Sequence, residues 1–113
     1  MTDTIFSKII AREIPADIIY EDDLCLAFND IVPQAPMHFL IIPKKPIVNI
    51  SDAESEDKTL LGHMILKAGE IAAEQGHGDN FRLVTNNGET AGQTVFHLHL
   101  HVLAGRAFAW PPG

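Results

Sequence analysis

The chain is short of positive charge. Eight lysines and arginines stand against fifteen aspartates and glutamates, for a formal charge of −7. A protein that binds polymeric nucleic acid needs a basic stripe to neutralise phosphates. Here only Lys44-Lys45 form a pair and the other basic residues are scattered, which excludes DNA or RNA as an expected partner. A single phosphate is a different case, because backbone N–H groups and neutral donors can hold one. Cysteine is scarce as well. Cys25 stands alone and cannot form an intrachain disulfide, which suits a reducing compartment. Between Leu24 and Leu26 it reads as a small buried hydrophobe. No run approaches the roughly 20 apolar residues of a membrane span. The first residues, Met1-Thr2-Asp3-Thr4, are acidic where a secretory leader would be basic. The expectation is a cytoplasmic protein with no membrane partner.

What is present suits one compact domain over residues 1–113, with a hydrophobic content of 46%. Ile5, Phe6, Ile9 and Ile10 fall at helical spacing, with Asp3 or Thr4 as N-cap and an end before Pro15. Residues 17–21 and 24–28 read as two strands joined at Asp22-Asp23, a hairpin. Pro33-Gln34-Ala35-Pro36 is a stiff connector. His38-Phe39-Leu40-Ile41-Ile42 is a continuous apolar strand, stopped by Pro43 and Pro46. Ser51-Asp52-Ala53-Glu54 matches a capping box and predicts the start of a long helix. Leu60, Leu61, Met64, Ile65, Ala68, Ile71 and Ala72 form its apolar stripe, and Gly76 is its stop. Residues 81–85 and 96–103 read as the last two strands. The order predicts an α+β fold: an antiparallel five-stranded sheet with one short and one long amphipathic helix. A parallel pairing of the third and fourth strands is the weaker alternative.

Three of the six histidines fall within five residues, His97-Leu98-His99-Leu100-His101. Residues two apart on a strand share a face. The imidazoles would line one face, open to solvent or a cleft. Phe96, Leu98, Leu100 and Val102 would line the other, under the long helix. A merely polar face is better served by other residues. Zinc needs nitrogens about 2.0–2.1 Å away, while the outer pair of the ladder starts about 13 Å apart, so all three can hardly converge on one ion. Two of them completed by His38 remain an alternative. Catalysis fits best: a neutral imidazole is a nucleophile near neutral pH, and its neighbours can act as acid or base. Gly92-Gln93-Thr94-Val95 leads into the ladder and supplies close backbone approach, an amide and a hydroxyl for phosphate oxygens.

This pattern resembles the His-φ-His-φ-His-φ-φ signature of the histidine-triad superfamily, where φ is apolar. It is similar more narrowly to the Hint branch. The similarity extends over Asp3-Thr4-Ile5-Phe6, Glu13-Ile14-Pro15-Ala16, Pro33-Gln34-Ala35-Pro36, Ile42-Pro43-Lys44-Lys45, Gly92-Gln93 and Trp110-Pro111-Pro112-Gly113. The resemblance implies a homodimer whose two sheets join into one of ten strands, with the tail 104–113 packed at the interface. It implies hydrolysis of purine nucleoside 5′-phosphoramidates, and for related members of aminoacyl-adenylates, with no cofactor and no catalytic metal. His99 would be the nucleophile. His97 and His101 would position it and the phosphate, and His38 would extend the hydrogen-bond chain. Asn86, Gln93, Thr94 and Val95 would lie against the phosphate and leaving group. Asp30 would accept from the ribose hydroxyls. Ile5, Phe6, Ile9, Ile14, Phe28 and Ile31 would wall the purine pocket, and Trp110 would approach the nucleotide from the tail. Pro46, Asn29 and Ala109 stand where the animal-type pattern often has histidine. The tail change bears most on the leaving group. Two other functions fit a histidine ladder: hydrolysis of dinucleoside polyphosphates, and a non-enzymatic nucleotide- or zinc-binding module.

Overall fold

The computed structural model describes residues 3–113. Helix α1 spans Ile5–Ile10. Thr4, not Asp3, is its cap: the Ser7 N–H donates to Thr4 Oγ1 (3.1 Å) and the Thr4 N–H donates to Ser7 Oγ (2.8 Å). Its buried residues are Phe6 and Ile9, each contributing about 1.5–3 kcal/mol through burial. Strands β1 (Ile18–Glu21) and β2 (Cys25–Asn29) form the expected antiparallel hairpin. Asp22 shapes the turn between them, its Oδ1 accepting the N–H groups of Leu24 (2.8 Å) and Cys25 (2.9 Å).

Strand β3 (Met37–Pro43) is buried along its whole length. The long helix α2 runs Lys58–Glu74, so it begins well after the predicted cap at Ser51. The predicted box at Ser51-Asp52-Ala53-Glu54 does not form. Residues 50–52 and 55–57 make short 3₁₀ turns instead, the first capped by Asn49. Asp57 is nearly fully buried. It binds the Lys45 ammonium at 2.6 Å and accepts the Glu54 N–H at 2.9 Å, which fixes where the helix begins. At the other end Gly76 has φ +87°, with His77 N–H bonded to the Ala72 carbonyl and Gly76 N–H to that of Ala73, the Schellman stop. Of the predicted stripe, Leu60, Met64, Ala68, Ile71 and Ala72 are buried, while Ile65 is 53% exposed and lies off the packed face.

Strands β4 (Arg82–Val84) and β5 (Leu100–Ala104) complete a five-stranded antiparallel sheet in the order β1-β2-β3-β5-β4. β3 and β4 run the same way but are not neighbours, because β5 lies between them. β5 starts at Leu100 rather than at Phe96. Leu100 pairs with Ile41, so the next like pairing would set Leu98 against Pro43, which has no N–H to give. The chain leaves the ladder there, and the Leu98 N–H finds the Ile47 carbonyl at 2.7 Å. α2 covers one face of the sheet over Cys25, Ala27, Phe39, Ile41, Leu98, Leu100 and Val102. α1 covers part of the other face over Leu26, Phe28, Leu40 and Ile42. No helix among the described residues is long and apolar enough to cross a membrane.

Candidate active site

Because α1 is only six residues long, it cannot cover its face. The uncovered part is a cleft of about 450 Å³. Its walls are the apolar Ile5, Phe6, Ile9, Ile14, Phe28 and Ile31 together with Asn86, Gly92, Thr94, Val95, His99 and His101, and Asp30 lines it as well. These residues come from both ends of the chain, and the sheet brings them together. Gly92 has φ +104°, and a Cβ there would stand 3.5 Å from the Asn86 amide. Only glycine takes this backbone without strain.

The alternation expected of the ladder survives, although only His101 lies in β5. Leu98, Leu100 and Val102 pack under α2. His97 and His99 turn the other way, against Phe6, with ring centroids 6.3 and 4.9 Å from it, edge to face. The imidazole face opens onto the cleft through His99 and His101, as expected, although His97, His99 and His38 are only 3%, 6% and 6% exposed. Phe6 of α1 packs against His97 and His99. One expectation needs correction: Phe96 does not join the helix-facing row and is 48% exposed, since the chain has left the ladder by that point.

The hydrogen bonds set the tautomers. The Gln34 N–H donates to His38 Nδ1 (3.0 Å), so His38 carries its proton on Nε2. That nitrogen lies 3.0 Å from His101 Nδ1 and donates to it, which puts the proton of His101 on Nε2. His99 Nδ1 donates to the His97 carbonyl (2.8 Å) and His97 Nε2 to the Pro43 carbonyl (2.8 Å). His99 therefore keeps an unprotonated Nε2. The Thr85 hydroxyl donates to the His99 carbonyl (2.9 Å), fixing the backbone as well. Among the described residues, neither His99 Nε2 nor His101 Nε2 has a protein partner. Burial, then the adjoining His99 and His38 imidazoles, pushes His101 down to about 4. Burial also holds His38 and His97 below the ordinary value, opposed in His38 by the Asp30 carboxylate. His101 is a neutral N–H donor at pH 7, beside the His99 ring.

Asp30 Oδ1 accepts the Val32 N–H (2.8 Å), and its Oδ2 lies 3.4 Å from His38 Nε2. Asp30, His38 and His101 are close enough to hold an ion, as are Asp22, Cys25 and His63. In the first group the two facing nitrogens already share a proton. In the second, Asp22 Oδ2 is engaged by Tyr20 Oη and His63 Nε2, both at 2.6 Å. Burial, then the Asp22 charge, pushes the Cys25 thiol up to about 12, so it stays protonated at neutral pH.

Two predicted site residues are not brought into the cleft. Gln93 is 1% exposed and its amide is consumed inside the protein. Its Nε2 donates to the carbonyls of Val48 (2.7 Å) and Val95 (3.1 Å), and its Oε1 accepts from Gly88 N–H (2.8 Å) and Asn49 Nδ2 (3.3 Å). It pins the loop that presents Thr94 and holds no phosphate itself. Trp110 is 83% exposed and lies on none of the walls of this chain's own cleft, the expected tail contact being with a partner subunit. Phe108 anchors its segment instead, between the guanidinium groups of Arg82 and Arg106. Ile31 lines the cleft although it is 92% exposed. Pro15, Ala16, Asn29 and Leu40 line the cleft without having been singled out as site residues. Leu40 could have been found from its period-two match with Phe28, but the loop residues carry no such signal.

Residues 11–108 match the family profile described as HIT domain. The chain belongs to the HIT domain family. It is 69% identical over 111 residues to a HIT-like protein of Synechocystis sp., covering 98% of this chain and 97% of that one. A HIT family hydrolase from Legionella pneumophila superposes with a TM-score of 0.96 at 46% identity, over 98% of this chain and 100% of the other. A histidine triad nucleotide-binding protein from Candida albicans gives a TM-score of 0.82 at 28% identity, over 96% and 83%. Within this HIT protein, the histidine ladder, the short α1 and the cleft between them are one arrangement.

Proposed function

We propose that this HIT protein is a hydrolase of the Hint branch that cleaves the P–N bond of purine nucleoside 5′-phosphoramidates through a covalent nucleotidyl-His99 intermediate. The observation that carries this reading is the tautomer of His99. Its Nδ1–H is tied to the His97 carbonyl and its free Nε2 belongs to a ring lining the cleft. The cleft combines apolar walls that suit a purine with polar groups that suit one phosphate. The hydrolase and nucleotide-binding descriptions of the Legionella and Candida proteins agree with it.

In the first step the His99 Nε2 lone pair forms a bond to the α-phosphorus. The P–N bond breaks, its electrons stay on nitrogen, and the amine takes up a proton and leaves. In the second step water attacks phosphorus, the P–Nε2 bond returns its pair to His99, and the nucleoside monophosphate is released with the water's proton going to solvent. Such transfer is mostly positioning and charge stabilisation. The N–H of His101 and the hydroxyl of Thr94 donate to nonbridging oxygens, with the Asn86 amide beside them. Asp30 keeps lone pairs for the ribose hydroxyls. The substrate's low charge fits a site without lysine or arginine in its lining.

The same reading carries a homodimer. β4 is an edge strand, and Ile65 and Leu66 of α2 are 53% and 70% exposed. Sedimentation should give a dimer; a monomer at micromolar concentration would remove that part. The direct test of the activity is turnover of adenosine 5′-phosphoramidate by wild type and His99→Ala with a chelator present. Wild type alone should turn over. Equal turnover by the variant would remove His99 as nucleophile, and silence of both, with nucleotide still bound, would reduce the protein to a binding module.

A further inference from the structure

Beside the cleft lies a second, larger groove of about 770 Å³, running along the start of α1. It shares Ile5, Thr94 and Val95 with the cleft, so the two adjoin at the Thr94 hydroxyl that the proposed function sets against the phosphate. His97 lines it on the side of the ladder. Its apolar walls are exposed without a packing reason, Ile5 at 51%, Val48 at 38% and Phe96 at 48%, and the hydroxyl residues Thr4 and Ser7, bonded to each other, also line it. Pro46 adjoins them. Asp3 is the one formal charge in the lining, and no lysine or arginine contributes.

A nucleoside monophosphate occupies the cleft alone. A substrate that carries one more substituent on phosphorus must send it out of the cleft beside the phosphate. Thr94 and Val95 stand at that exit, and the groove begins there.

We propose that this groove seats the leaving group and selects amines with apolar, uncharged or cationic substituents. It disfavours anionic leaving groups, including the second half of a dinucleoside polyphosphate. This inference rests on the phosphoramidase reading and sharpens it by naming the class of amine. Phe96 and Val48 are its specificity residues. They touch neither the nucleoside cleft nor the reacting atoms, since neither lines the cleft. Contact with an aromatic leaving group should raise kcat/KM about tenfold, the equivalent of burying roughly 60 Å² of apolar surface.

The experiment compares three adenosine 5′-phosphoramidates, with ammonia, phenethylamine and the amine of glutamate as leaving groups. Wild type, Phe96→Ala and Val48→Glu are measured on each. Wild type should prefer phenethylamine to ammonia and disfavour glutamate. Both variants should lower the phenethylamine-to-ammonia ratio about fivefold or more, roughly 1 kcal/mol, with turnover of the ammonia compound unchanged. That unchanged turnover also reports that each variant is folded. A ratio the variants leave unaltered, or glutamate accepted as well as phenethylamine, would overturn the groove assignment while the phosphoramidase stands. Silence of wild type on all three would overturn the phosphoramidase reading and the groove with it.

Discussion

Along β5 and its lead-in, Leu98, Leu100 and Val102 point to one side of the sheet and His97, His99 and His101 to the other. The first set meets α2, a helix of seventeen residues. The second set meets α1, which has six. On the α2 side the packed set under the helix is Cys25, Ala27, Phe39, Ile41, Leu98, Leu100 and Val102 against Leu60, Met64, Ala68, Ile71 and Ala72. On the α1 side, burial of three imidazoles is combined with a cleft that reaches His99 and His101. Two helices of unequal length thus turn one strand into a stabilising element on one face and a chemical element on the other. Changes on the two faces should separate stability from activity.

The largest expected effect is on the cleft face. His101→Ala removes the neutral donor beside His99 and should lower kcat by about 10²–10³-fold. Its melting temperature should move by only a few degrees, because the loss to the fold is one hydrogen bond from His38, about 1–3 kcal/mol. Equal turnover in the variant would show that the donor is not used. On the other face, Met64 is 0% exposed under the sheet. Met64→Ala should cost about 2–5 kcal/mol in denaturant unfolding, with kcat/KM unchanged where the variant is folded. A matching fall in kcat/KM would mean that the faces are not separable. Asp30→Asn is smaller again. It should lower kcat/KM for the ribonucleotide by about tenfold, or 1.4 kcal/mol, and have little effect on the 2′,3′-dideoxy substrate. An equal loss on both would make Asp30 a support for His38 rather than a ribose ligand.

The smallest effect is thermal and depends on pH. Burial holds His38, His97 and His101 below the ordinary histidine value. The unfolded chain titrates near 6.5. Between about pH 6.5 and 4 the unfolded state binds protons that the fold refuses, so stability falls as pH falls through that window. Above it the contribution is complete. The melting temperature should drop by several degrees from pH 7 to pH 5, and by less in His101→Gln. A flat profile would mean that the imidazoles are not held neutral by the fold.

Much of this division was legible in the sequence. The stripe Leu60-Met64-Ala68-Ile71 and the alternation of the ladder are local periodicities, and periodicity survives folding. The residues of the cleft were legible through the resemblance rather than through spacing, since Phe6, Phe28, Asp30 and Asn86 meet only in the folded chain. What was not legible depends on distant partners. Nothing near residue 97 announces that Pro43 will refuse the ladder bond and shorten β5. Ser51-Asp52-Ala53-Glu54 has the letters of a capping box, yet Asn49 and the Lys45–Asp57 pair set the helix start. Gln93 reads as a loop amide aimed at phosphate, but its four internal partners come mostly from residues 48, 49 and 88. The burial of His97 and His99 is the work of α1, more than eighty residues away in sequence.

The central claim is that His99 Nε2 becomes covalently nucleotidylated during turnover. It is tested most directly by mixing the protein with adenosine 5′-phosphoramidate, quenching within the first turnover at alkaline pH, and mapping the peptide that carries the added nucleotidyl mass. The account predicts an adenylyl group on His99, absent in His99→Ala. Steady turnover with no adduct at any time, or an adduct on another residue, would contradict it.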